Sequence, residues 1–288
     1  EEVHKAIEYA SQLGIKHIRF TGGEPTVRKG LLGLIERTAQ TPGIESVALT
    51  TNAILLPDMA AELKAAGLSR VNISLDTLDA EQYRFITRLG NLDDALKGIE
   101  AALSAGLSPV KLNTVVVRSL NQDLLSFARL TVDAPLHVRF IEYMPIGSGE
   151  DCGGCGWGPD DVVPAKEILE TINIQAQSIG LGNLQPTVAT PDGWGPAQYY
   201  RLPGAQGTVG VISAISNHFC ASCNRLRLTA DGKIKPCLFS DTEYDIRSAL
   251  RKGSEEEVLS VFKAALTHKP SGHEHRVGTR RMMSQVGG

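Results

Sequence analysis

His17-Ile18-Arg19-Phe20-Thr21 alternates apolar and polar side chains and then stops at Gly22-Gly23-Glu24-Pro25. A short alternating run closed by glycines and a proline is a strand entering a tight loop. The same unit recurs at residues 46–51, 71–76, 110–117 and 136–143. Helix-length stretches separate the runs, around residues 31–38, 58–66, 92–105 and 121–130, and Gly67 and Gly106 stand where left-handed caps belong. Strand and helix in alternation predict an α/β fold on a parallel sheet.

Parity along these strands says more than their count, because alternate side chains point to opposite faces. One parity collects Ile18, Phe20, Val47, Leu49, Val71, Ile73 and Leu75, which suit packing beneath helices. The other collects Arg19, Thr21, Ala48, Thr50, Asn52, Asn72, Ser74, Lys111 and Asn113. A closed TIM barrel fills its centre with branched apolar side chains, so a polar inner face predicts an open, wide barrel that holds polar ligands. A sheet with one wet face is the alternative. Arg19 and Lys111 in one lumen repel each other and cost desolvation unless an anion joins them. An anionic substrate answers both costs.

Upstream of the first strand, Val3, Ile7, Ala10 and Leu13 keep helical spacing up to Gly14, and residue 1 is Glu, not Met. The chain therefore reads as beginning inside a helix, with residue 1 a fragment boundary after a lost strand. With that strand the module at residues 1–143 has about six β/α units, fewer than the roughly eight of a closed barrel.

The 288 residues are 42% hydrophobic and 21% charged, with 29 basic and 32 acidic side chains and a formal net charge of −3. Such a balance creates no global field to gather nucleic acid. No apolar stretch approaches the roughly 18 residues of a membrane span. Five cysteines are too few and too odd in number for a secreted disulfide scaffold. They point to a reducing compartment, the cytoplasm, where thiols serve metals or chemistry.

From residue 144 the repeat fades into a Gly/Pro-rich stretch, then a helix near residues 165–171 and short strands, predicting a separate α+β region at 144–288. Within it, two residues separate Cys220 from Cys223, and an Asp231-Gly232 turn folds Cys237 back toward them. Three thiolates leave one coordination position open, which suits an iron–sulfur cluster or a zinc ion completed by another group. Cys152-Gly153-Gly154-Cys155 offers a competing zinc site made of Cys152, Cys155, Cys220 and Cys223. Arg225 and Arg227 project from one face of a strand and can grip phosphates as planar forks. At the strand ends, Gly22 and Gly23 admit close approach of a ligand and Glu24 can accept from an ammonium group. The terminal Gly287-Gly288 reads as a frayed end, or as a thread for a narrow site.

Taken together, Phe20-Thr21-Gly22-Gly23-Glu24-Pro25, Thr50-Thr51-Asn52, Ser74-Leu75-Asp76, the Lys111 and Arg139 strands, the Cys220 to Cys237 segment and the terminal Gly-Gly resemble the molybdenum cofactor biosynthesis protein A family. These are the radical S-adenosylmethionine GTP 3',8-cyclases. The resemblance implies a partial (β/α)6 TIM-like barrel with its first strand missing here, a [4Fe–4S] cluster at each end, and GTP between them. It implies that Gly23, Glu24, Ser74 and Met144 contact S-adenosylmethionine. Arg19, Thr50, Lys111, Arg225, Leu226 and Arg227 would hold GTP, and Cys220, Cys223 and Cys237 the carboxyl-terminal cluster. Arg280 or Arg281 would enter the active site with the tail. The family's amino-terminal CxxxCxxC is absent from this sequence, so the stretch as given is expected not to start the radical reaction alone. The implied chemistry is reductive cleavage of S-adenosylmethionine, hydrogen abstraction from ribose C3' of GTP and attack on guanine C8. The implied partners are an electron donor and a downstream cyclic pyranopterin monophosphate synthase, and a homodimer is compatible with the reading. A zinc-stabilised nucleotide-binding module and a peptide-maturing radical enzyme stay open as alternatives.

Overall fold

Strand and helix alternate as expected in the computed structural model, which describes residues 1–146, 156–189, 191–192, 195–272, 281 and 283–286. The first half runs α1 (Glu2–Gln12), β1 (His17–Phe20), α2 (Leu31–Gln40), β2 (Ser46–Thr51), α3 (Leu56–Ala65), β3 (Arg70–Ser74), α4 (Ala80–Thr87), α5 (Leu92–Ser104), β4 (Val110–Val116), α6 (Leu124–Asp133) and β5 (Leu136–Glu142). The second half adds α7 (Ala165–Ser178), β6 (Gln185–Pro186), β7 (Gln198–Arg201), β8 (Thr208–Ile212), β9 (Arg227–Leu228), β10 (Lys233–Lys235), β11 (Tyr244–Asp245), α8 (Ile246–Lys252), α9 (Glu255–Thr267) and α10 (Met283–Val286). Helix α4 is absent from the sequence reading, although Asp79 caps it by accepting from the Gln82 amide at 2.7 Å.

The main sheet has the order β1-β2-β3-β4-β5-β8-β7-β6, and β1 through β5 with β8 run parallel. The polar bulk of residues 144–288 was expected to stand apart, yet β8 pairs with β5 along residues 137–141. The sheet therefore continues across residue 143. Among the described residues, the small sheet β11-β10-β9 lies outside it.

The two parities separate as strand geometry demands. Val47, Leu49, Val71, Ile73, Val110, Leu112, Val138 and Phe140 are buried beneath the helices in one continuous core. On the opposite face, the register sets Thr50 beside Asn72, Asn72 beside Lys111, Lys111 beside His137 and His137 beside Thr208. One step further along, Ser74, Asn113, Arg139 and Gly210 form a second row. This polar face is the lumen. A second core joins the first helix to the last ones, with Ala6 and Ala10 of α1 against Ile234, Ile246, Val258 and Phe262. Among the described residues no helix is long and apolar enough to cross a membrane.

Candidate active site

The lumen is a field of cations. Arg139 is locked in its wall, with Nε donating to Asn113 Oδ1 at 2.9 Å and a terminal nitrogen to Asn72 Oδ1 at 2.7 Å, and it also bonds the Tyr199 phenol. None of those partners is anionic in the neutral range, so its charge stays uncompensated. Lys111 is 3% exposed and donates to the Asp192 carbonyl at 2.6 Å. Burial, then Arg139 and Arg70, pulls its pKa down to about 7, with the Asp192 charge opposing. Arg19 is enclosed by protein but its side chain remains reachable by water, as expected of a group projecting into a hollow. Burial and the charges of Arg139, Arg227, Arg225 and Arg70 lower it to about 9, which leaves it protonated at neutral pH. His137 is held neutral by burial, then Lys111, Arg139 and Arg201, at about 4, and shares a 2.9 Å hydrogen bond with Thr208 Oγ1.

Arg225 and Arg227 reach this field from the small sheet. Arg227 is lowered to about 10 by burial and then by Arg225, while Cys223 and Cys237 oppose the shift, so both cysteines flank it. Among the described residues, its buried Nε and the buried hydroxyl of Thr50 have no hydrogen-bond partner, so both can serve a polar ligand. Arg225 lies over the Phe219 ring at 5.0 Å. Leu226 is a correction: it lies just before β9, outside the strand expected for it, and its side chain packs against the second core.

Cys220, Cys223 and Cys237 are unpaired thiols of intermediate exposure. A 3₁₀ turn over Cys220–Ser222 carries the first, and the Cys223 amide donates to the Cys220 carbonyl at 3.1 Å. The Asp231-Gly232 turn forms as expected between β9 and β10, with Gly232 at φ +81° and Arg227 paired to Lys235. Burial works against a Cys223 thiolate, but the Arg225 amide and guanidinium and the Lys269 charge outweigh it and bring the thiol below its ordinary value. Among the described residues, no three His, Cys, Asp or Glu side chains converge tightly enough for a single metal ion. Three free thiols beside a cation are the type of donor set that an iron–sulfur cluster takes. Cys152 and Cys155 lie outside the described residues.

The carboxyl ends of β1 to β5 form a second rim. A Cβ placed on Gly22 or Gly23 would meet only open space, and Gly22 sits at φ +151°, where other residues are strained. Ser74 is exposed at the end of β3, and Met144 follows β5. Glu24 is engaged by its own chain. It accepts from the Thr26 amide at 2.9 Å, Thr26 Oγ1 at 2.6 Å, Thr51 Oγ1 at 2.8 Å and the Asn52 amide at 2.7 Å. It braces the glycine loop against β2. Asp76 is raised to about 6 by burial, with the Val115 amide pulling the other way.

Arg281 is held by Glu243 at 2.5 Å and Asp231 at 2.9 Å, a position that makes it an anchor on the small sheet. Arg280 and the Gly-Gly end lie outside the described residues. Sequence reasoning missed Arg70, His137, Arg139 and Tyr199. Extending the inner-face parity of β4 to β5 finds His137 and Arg139, whereas Tyr199 arrives on an antiparallel strand with no local signal.

A mostly parallel α/β sheet thus carries a glycine loop at its strand ends and a thiol-bearing appendage beyond it. The Radical SAM superfamily model matches residues 1–130, and the Molybdenum Cofactor Synthesis C model matches residues 136–275. Proteins described as GTP 3',8-cyclase from Pelotomaculum thermopropionicum, Heliobacterium modesticaldum and Moorella thermoacetica are 49%, 50% and 48% identical to this chain. Each alignment covers 100% of this chain and 86% of the relative. The chain belongs to the GTP 3',8-cyclase family, radical S-adenosylmethionine enzymes of molybdenum cofactor biosynthesis.

Proposed function

We propose that the lumen of this chain seats GTP with its triphosphate among Arg19, Arg70, Lys111 and Arg139 and its nucleoside end toward Arg225 and Arg227. The observation that carries this is the convergence of six cations on one hollow, next to unpaired Thr50 and Arg227 atoms and three free thiols. Charge-assisted, planar contacts from arginine suit phosphate oxygens and orient them.

Cys220, Cys223 and Cys237 would hold a [4Fe–4S] cluster, which would supply a binding point for the purine end of the nucleotide. Gly23, Ser74 and Met144 receive S-adenosylmethionine at the strand ends, with Glu24 keeping the glycine loop in shape. When bound there, S-adenosylmethionine would supply the radical chemistry for the 3',8-cyclisation of GTP. The chain's own task is placement. A fixed guanidinium at Arg139 and a braced loop at Glu24 keep reacting groups from wandering. The thiols accord with a reducing, cytoplasmic setting. The product would pass to a downstream cyclic pyranopterin monophosphate synthase.

Anaerobic iron and sulfide analysis of the full-length chain, combined with a GTP titration, tests this. A brown protein that binds GTP and bleaches on oxidation is expected. A colourless protein with one zinc, or a brown one indifferent to GTP, sinks the assignment.

A further inference from the structure

Lys269 follows α9, in a stretch that neither motif nor periodicity singles out. Its ammonium donates to the Arg225 carbonyl at 2.7 Å and to the Pro236 carbonyl at 2.8 Å. Those carbonyls belong to different segments: Arg225 stands two residues after Cys223, and Pro236 immediately before Cys237. The ladder between β9 and β10 pairs Leu228 with Ile234 and Arg227 with Lys235, and ends there. Toward the cysteines, the two segments part from their pairing, and Lys269 bridges them at that point. A compact ammonium with three donors can hold two carbonyls at once, which no neutral side chain does with equal strength.

We propose that Lys269 is a positioning residue, a clasp that fixes the separation of Cys223 from Cys237 and the direction in which Arg225 leaves the strand. The idea rests on the reading of this site as a cluster and GTP site. It names the residue that keeps thiols and guanidiniums in one register. Lys235 on the neighbouring strand has another duty, since its ammonium is wholly buried against the Ser240 carbonyl and Glu243.

The test compares the full-length, anaerobically prepared protein with Lys269→Met and Lys269→Arg. Lys269→Met is expected to lose iron and to weaken GTP binding about tenfold, or roughly 1.4 kcal/mol. Lys269→Arg, which keeps charge and donors, is expected to stay within about threefold of the parent. A Met variant with parental iron and GTP affinity overturns the proposal, and so does an Arg variant as defective as Met. A measurement free of iron and nucleotide separates the clasp from the function it serves. In the metal-free chain, dibromobimane should bridge Cys223 and Cys237, read by mass spectrometry, and Lys269→Met or, if that variant does not fold, Lys269→Gln should lower the yield severalfold. Equal yields overturn the clasp. A parent that binds neither iron nor GTP defeats the function while the crosslinking result still judges Lys269.

Discussion

Lys111 shows what a lumen full of cations does to a single residue. Its folded pKa of about 7 lies below its ordinary 10.5, so between those values the unfolded chain binds a proton that the folded chain refuses. Lys111 therefore opposes folding most at and below pH 7, and the penalty fades as pH rises toward 10. An anion in the lumen reverses the shift and favours the charged amine. GTP binding is accordingly expected to take up a proton above pH 7 and to weaken as pH rises. Calorimetry in two buffers of different ionisation enthalpy reads that uptake, and Lys111→Met should abolish it; no uptake by the parent at pH 8 would remove Lys111 from the anion site. Arg225→Ala and Arg227→Ala should each weaken GTP binding by about 1.5–3 kcal/mol, the worth of a charge-assisted contact. Unchanged affinity in equilibrium dialysis would show that neither guanidinium touches the nucleotide.

At the scale of elements, Glu142 ties three pieces together. It is fully buried at the end of β5, and its carboxylate accepts from the Ala165 amide that opens α7 at 2.7 Å. It also accepts from the Ile215 and Ser216 amides at 2.7 and 2.8 Å and from the Ser216 hydroxyl. The loop so held leads to Cys220. Replacing one acceptor oxygen by an amide turns a donor toward donors, so Glu142→Gln should cost about 3 kcal/mol or more in denaturant unfolding. A loss under about 1 kcal/mol would mean that the loop repairs itself with water. Helix α9 is a milder case. Ser254 accepts from the Glu257 amide and Glu257 from the Ser254 amide, a capping box whose Ser254→Ala loss should be about 1 kcal/mol by thermal melting.

On the scale of the molecule, the second half completes the sheet that the first half begins. β5 is an interior strand because β8 covers its edge, and α1 is a core helix because α8, α9 and β10 cover its apolar side. Residues 1–143 expressed alone would expose both surfaces. That fragment is expected to aggregate or to lack a cooperative transition in size-exclusion chromatography and circular dichroism, as open edges and uncovered cores do. A monomeric, cooperatively folding fragment would show that the two halves are independent, in keeping with the near-coincident division between the two family models.

Much of this was written in local pattern. Alternation with a period of two placed Arg19, Thr50, Ser74 and Lys111 on one face, and the Asp-Gly turn returned Cys237 toward Cys223, because strand pleat and turn geometry act over a few residues. The missed α4 also had a local mark in Asp79. What the chain alone could not declare was which distant groups meet: β8 beside β5, Tyr199 on Arg139, Lys269 across Arg225 and Pro236, and Asp231 with Glu243 around Arg281. Those contacts join residues 33 to 71 positions apart. No propensity encodes them; the packing of one core against another does.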